Sequence, residues 1–148
     1  MKNTCAIDIE APITKVLDFI NDENKHKLWL DGLEETIREP GYNSKKPVGS
    51  KFQQKIREGK KVEVYDGEVT AYNRPHHLGA RVHNKGMSVQ VDYLLTKVKK
   101  YTRLEFVAEV TFQNLAFKML AGAFSGPIMR TVIEKQMKSL KQLIEAEA

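Results

Sequence analysis

The chain has 148 residues, of which 41% are hydrophobic and 29% charged, the balance of one globular domain with a real core. No apolar run approaches the roughly 20 residues of a membrane span, and the charged start Met-Lys-Asn-Thr-Cys-Ala-Ile-Asp does not read as a signal peptide. The single Cys5 excludes an internal disulfide and fits a reducing cytoplasm. Net charge is +5, but Lys45, Lys46, Lys60, Lys61, Lys97, Lys99 and Lys100 fall mainly in expected loops. Aromatics interleaved with arginines are missing, so no nucleic-acid partner is expected.

Residues 3–10 alternate, with Cys5, Ile7 and Ile9 against Ala6, Asp8 and Glu10, which predicts a half-buried strand. Ala11-Pro12 ends it. Val16, Leu17, Phe19 and Ile20 then recur at helical spacing over Thr14–Asn21, and a second short helix is expected from Glu23 to Leu30. A run of strands follows: Leu33–Glu39, Gly49–Arg57, Val62–Tyr72, His77–His83, Met87–Val98 and Tyr101–Thr111. Pro40-Gly41, Glu58-Gly59-Lys60, Asn73-Arg74-Pro75, Asn84-Lys85-Gly86 and Lys99-Lys100 mark the turns.

Two of these hairpins can be set in register. Pairing Val82 with Val89 places Ala80 opposite Val91 and Leu78 opposite Tyr93. Pairing Leu95 with Leu104 places Tyr93 opposite Phe106 and Val91 opposite Ala108. Both hairpins turn the same side of Met87–Val98 inward, so the pairing is self-consistent. The result is an antiparallel meander with one apolar face, and that face needs a cover.

The cover is expected from Leu115–Ala148. Its second half carries Ile133, Met137, Leu140 and Ile144 on one helical face. Its first half, Leu115–Phe124, is apolar nearly all round, with Lys118 as the one charge. Gly126-Pro127 sits where the apolar face changes side, which predicts one bent helix or two in series. Ala121, Gly122, Ala123 and Gly126 either pack closely or leave room beneath.

The order of strand, two short helices, antiparallel meander and long C-terminal helix resembles the helix-grip fold of the START-like (SRPBCC) superfamily, in particular its polyketide cyclase/dehydrase and lipid-transport branch. The residues that carry the resemblance are Ile9-Glu10-Ala11-Pro12-Ile13 with Val16, Asn21-Asp22 with Trp29, Val48-Gly49-Ser50-Lys51-Phe52, and Tyr93-Leu94-Leu95. They specify a scaffold and no catalytic motif. The resemblance implies an α+β fold, a curved antiparallel sheet of about seven strands gripping the C-terminal helix, as one domain over residues 1–148. It also implies a cavity between sheet and helix for an apolar or amphipathic small molecule.

The expected inward set is Gln54, Val64, Leu78, Ala80, Val82, Val89, Val91, Tyr93, Leu95, Leu104, Phe106 and Ala108. Its apolar character suits a greasy ligand better than acid–base chemistry. Ligand-facing residues are therefore expected at Trp29, Gln54, Val64, Ala80, Val91, Tyr93 and Phe106, and at Phe117, Leu120 and Phe124 of the helix. Tyr93 and Gln54 either orient a ligand or are satisfied by backbone. Trp29 packs at the cavity mouth, with ligand stacking as the alternative. Continuing the phase of Val62 and Val64 would put Asp66 and Glu68 inside, as a general acid–base pair requires. A β-bulge near Gly67 would instead turn Val69 and Ala71 inward and leave the acids in water, and this is the preferred reading. His76 and His77 are adjacent, and with His26 and His83 they show no metal spacing, so neither metal nor cofactor is expected. The leading expectation is a binding protein for a hydrophobic or amphipathic small molecule; the alternatives are a cyclase or dehydratase on the same scaffold, using Tyr93, Gln54 or the Asp66/Glu68 pair, and a chaperone-type adaptor. A homodimer stays open too.

Overall fold

The computed structural model describes residues 2–114 and 126–147. The elements run β1 (Lys2–Ile9), α1 (Ile13–Asn21), α2 (His26–Trp29), β2 (Leu33–Arg38), β3 (Lys51–Glu58), β4 (Lys61–Asn73), β5 (His77–Asn84), β6 (Met87–Val98), β7 (Tyr101–Phe112) and α3 (Gly126–Ala146). The strands form one seven-stranded antiparallel sheet in the order β1-β7-β6-β5-β4-β3-β2, so that the first strand closes the meander beside the last. Strand, helix pair, meander and C-terminal helix thus appear in the expected order, as a helix-grip α+β fold. No described helix is long and apolar enough to cross a membrane.

Tight turns hold the registers. The Asn84–Met87 connection puts both Lys85 (φ +47°) and Gly86 (φ +81°) in the left-handed region, the turn whose twist matches that of a hairpin. Across it Val82 faces Val89, Ala80 faces Val91 and Leu78 faces Tyr93. In the next hairpin Leu95 faces Leu104, Tyr93 faces Phe106 and Val91 faces Ala108. These are the pairs expected from the alternation.

One expectation about β4 is corrected. Val64 is 43% exposed and lies on the outer face, as does Val62. The inward positions of β4 are Tyr65, Gly67 and Val69, paired with Gln54, Phe52 and Ala80. The bulge exists, but it falls between Val69 and Ala71, and beyond it Tyr72 pairs with the inward Leu78. Val69 is buried, whereas Ala71 pairs with Gly79. Asp66 is therefore exposed, its carboxylate accepting a hydrogen bond from Gln53 Nε2 at 2.9 Å, and Glu68 faces Arg81 on the same outer side.

The stripe Ile133, Met137, Leu140 and Ile144 of α3 is buried to 5% exposure or less and packs with Ile9, Leu95, Leu104 and Phe106. Polar contacts fix the helix to the β1–α1 corner. Lys141 Nζ donates to the Asp8 carbonyl at 2.6 Å, and the Glu10 N–H donates to the Glu145 carboxylate at 2.8 Å. Beneath them, the buried Thr102 hydroxyl donates to the Ala11 carbonyl at 2.7 Å. The helix α1 adds Val16, Leu17, Phe19 and Ile20, all four buried as their spacing foretold. Leu115–Phe124, with Phe117, Leu120 and Phe124, lies outside the described residues.

This packing predicts an asymmetry that chemical denaturation measures directly. Leu140→Ala should cost about 2–5 kcal/mol, because it empties a fully buried site. Val64→Thr should stay within about 0.5 kcal/mol, as an outward position allows.

Candidate functional site

Among the described residues the helices leave part of the inner face uncovered, and there the structure holds a cavity of about 190 Å³. Its floor is β-sheet: Val69 on β4, Leu78, Ala80 and Val82 on β5, Val91 and Tyr93 on β6, and Phe106 on β7. Phe52 and Gln54 of β3 with Thr36 and Arg38 of β2 form one wall. Ile20, Asn21, His26, Trp29 and Leu30 come from the early helices, and Gln136 from α3. A space of this size holds about six water volumes, or an organic molecule somewhat larger than one benzene ring.

Phe52 owes its place to Gly67. A Cβ built there would lie 2.3 Å from the Phe52 ring, so the ring covers the glycine and is held on the cavity wall. A wider groove of about 680 Å³, lined by Gln53, Asp66, Glu68, Arg81 and His83 among others, opens beside the outer face of the sheet. It is open to solvent and its outer wall is charged.

Aromatic contacts build the cavity's inner end. Trp29 is 4% exposed and meets Tyr93 edge-on, with ring centroids 6.1 Å apart; Tyr93 in turn lies 5.1 Å from Phe106. The Tyr93 hydroxyl makes no hydrogen bond among the described residues. Burial alone pushes its phenol far above the usual tyrosine range, so it stays a neutral donor at any physiological pH.

Beside the aromatics runs a polar chain whose proton positions can be deduced. His26 Nε2 lies 2.8 Å from the Ile20 carbonyl, which can only accept, so Nε2 carries the proton. In the neutral ring that burial favours, Nδ1 is then an acceptor and takes the proton of Thr36 Oγ1 at 3.0 Å. Thr36 Oγ1 must accept from its other neighbour, Gln54 Nε2, at 3.4 Å. That fixes the Gln54 amide and leaves its carbonyl oxygen as the acceptor that Gln54 can offer to the cavity. Burial, the largest effect, pushes His26 below the usual histidine range, with Arg38 acting in the same direction against the Ile20 carbonyl, Asp22 and Glu23.

Among the expected ligand-facing residues, Trp29, Gln54, Ala80, Val91, Tyr93 and Phe106 all line this one cavity. Val64 does not, for the reason of strand phase given above. Asp66 and Glu68 lie across the sheet from it. His76 bonds the Leu95 carbonyl and His77 bonds Asp92, so the two rings serve different partners. Sequence reasoning missed His26, Thr36, Arg38 and Phe52. Alternation from Leu33 would turn Ile37 inward, but a register shift between Leu33 and Glu35 turns Thr36 and Arg38 to the cavity instead and leaves Ile37 38% exposed.

Fold and cavity together define a ligand-binding scaffold of the helix-grip type. The family model described as polyketide cyclase / dehydrase and lipid transport matches residues 2–145, and the chain belongs to that family. No curated protein sequence matches it. Among solved structures, TTHA0849 from Thermus thermophilus superposes with a TM-score of 0.76 at 13% identity, covering 100% of this chain and 99% of that one. CV1439 from Chromobacterium violaceum gives 0.73 at 13% identity, with 97% and 96% covered. The di-domain ARO/CYC StfQ from the steffimycin biosynthetic pathway gives 0.74 at 8% identity, covering 99% of this chain and 51% of that one. At such identities the likeness is one of fold.

The state of His26 predicts a pH dependence. Because its folded pKa is lowered, the unfolded chain binds the proton more readily than the folded chain. The stability that rests on the neutral ring is complete above about pH 6.5 and is lost as pH falls from there through the folded pKa. Thermal melts from pH 8 to pH 5 should show a steeper loss of Tm for the wild type than for His26→Gln. Equal slopes would mean that His26 titrates normally.

Proposed function

We propose that this protein binds a small hydrophobic or amphipathic molecule in the cavity between the sheet and the helices, and that it does so in the cytoplasm. The observation that carries the reading is the composition of the wall. Apolar side chains from five neighbouring strands surround the space, and a few polar groups line it: the Tyr93 hydroxyl, the Gln54 amide and Arg38. Ligand sites combine the same two ingredients, a greasy lining and sparse polar groups that set orientation. The lone Cys5 is in keeping with a reducing compartment.

Family membership supports the reading at the level of a scaffold for such ligands. Turnover by general acid–base chemistry would need a carboxylate pair on the cavity. The pair best suited by chemistry, Asp66 and Glu68, faces away from it, so binding is the function we favour over cyclisation or dehydration.

Trp29 is the sole tryptophan and stands in the cavity wall, which makes the protein its own reporter. An apolar ligand should quench or shift its emission in a saturable way. Ala80→Phe puts a ring into the space and should abolish that response while the far-ultraviolet circular dichroism stays that of the wild type. A response that survives in folded Ala80→Phe would place the ligand elsewhere and overturn the proposal.

A further inference from the structure

Arg38 is the one permanently charged side chain that lines the cavity among the described residues, since burial favours the neutral form of His26. It is 14% exposed and is fixed from three sides. Its Nη2 donates to the backbone carbonyl of Asn21 and, at 3.4 Å, to the Asn21 side chain. The Tyr42 ring lies 4.1 Å from its guanidinium carbon. Glu23 at the rim stands 3.5 Å from Nε, yet Nε is buried and makes no hydrogen bond. No acceptor among the described residues takes the protons of Nη1.

A guanidinium carries five N–H donors in a rigid fork and matches a carboxylate in shape as well as charge. Here the fork is immobilised before any ligand arrives, so little side-chain entropy is lost on binding. Nε is buried without a hydrogen bond, and there an unspent charged donor is costly and a charge-assisted hydrogen bond is at its strongest. The uncharged Tyr93 hydroxyl is a second donor on the same cavity. Most of the remaining wall is apolar, with Asn21, His26, Thr36, Gln54 and Gln136 as its uncharged polar members, and the volume of about 190 Å³ admits one ring or a short chain.

We propose that the ligand is a small carboxylic acid, bound as its anion, with the carboxylate on Arg38 and a single ring or short acyl chain among Val69, Ala80, Val91 and Phe106. This rests on the cavity's being the binding site and adds the chemical class of what enters it. Glu23, 3.5 Å from Nε, is a partial counter-charge at the rim.

The test compares octanoate with 1-octanol, two probes of equal chain length, by calorimetric titration of the full chain. Octanoate should bind at least about tenfold more tightly, the margin that a charge-assisted hydrogen bond supplies. Arg38→Met should treat acid and alcohol alike, and Arg38→Lys, which keeps the charge but loses the fork, should retain only part of the preference. Equal affinity of the wild type for the two probes overturns the carboxylate assignment and leaves the cavity as a binding site. A preference that persists in folded Arg38→Met also overturns it, by placing the acid on another group. Absence of binding for both probes, or binding unchanged in Ala80→Phe, overturns the cavity reading and the assignment with it.

Discussion

Everything in this fold follows from one mismatch of widths. Seven strands at about 4.8 Å spacing make a sheet roughly 29 Å across, while a helix with its side chains is about 10–12 Å wide. The sheet has one apolar face, so that face must be covered. The helix α3 covers the end near β1, where Ile133, Met137, Leu140 and Ile144 fill the space against Ile9, Leu104 and Phe106. The short helices α1 and α2 close the corner. What these elements leave between them, among the described residues, is the cavity over β4, β5 and β6, which local sequence then shapes.

The shaping is done by a few residues that break the strand pattern. Gly67 removes a side chain so that Phe52 can lie across the backbone. Thr36 and Arg38 turn inward from an edge strand and are met there by His26 and Asn21 of the early helices. His26 links the Ile20 carbonyl to Thr36 and Gln54, which gives the polar wall one defined set of donors and acceptors. Such a chain costs folding energy unless every member is satisfied, and it specifies one geometry when it is. Arg38 takes part in the same junction and adds its charge.

The sequence made the architecture and two hairpin registers legible because those depend on short-range rules. Alternation in β5, β6 and β7 is clean, and two-residue turns leave no slack between strands. In β4 the rule failed for a physical reason. Val62 and Val64 look like a core-facing pair but lie outward, while the inward phase is carried by Tyr65, Gly67 and Val69, one of which has no side chain to announce it. A bulge two residues further on then hides the phase from the other end. Arg38 and His26 were illegible because their roles depend on α2 lying against β2, a long-range fact that no local periodicity encodes. Trp29, Tyr93 and Phe106 were legible because large aromatics on a predicted inner face have few other places to go.

The central claim is that this cavity is occupied in life by a small, largely apolar molecule. Native mass spectrometry of the protein purified from its own host, followed by extraction and identification of the bound fraction, tests it most directly. The account predicts a stoichiometric adduct of the mass of a single-ring or short-chain compound, released on denaturation. A clean unliganded mass, unchanged when the host's small-molecule extract is added back, would contradict it.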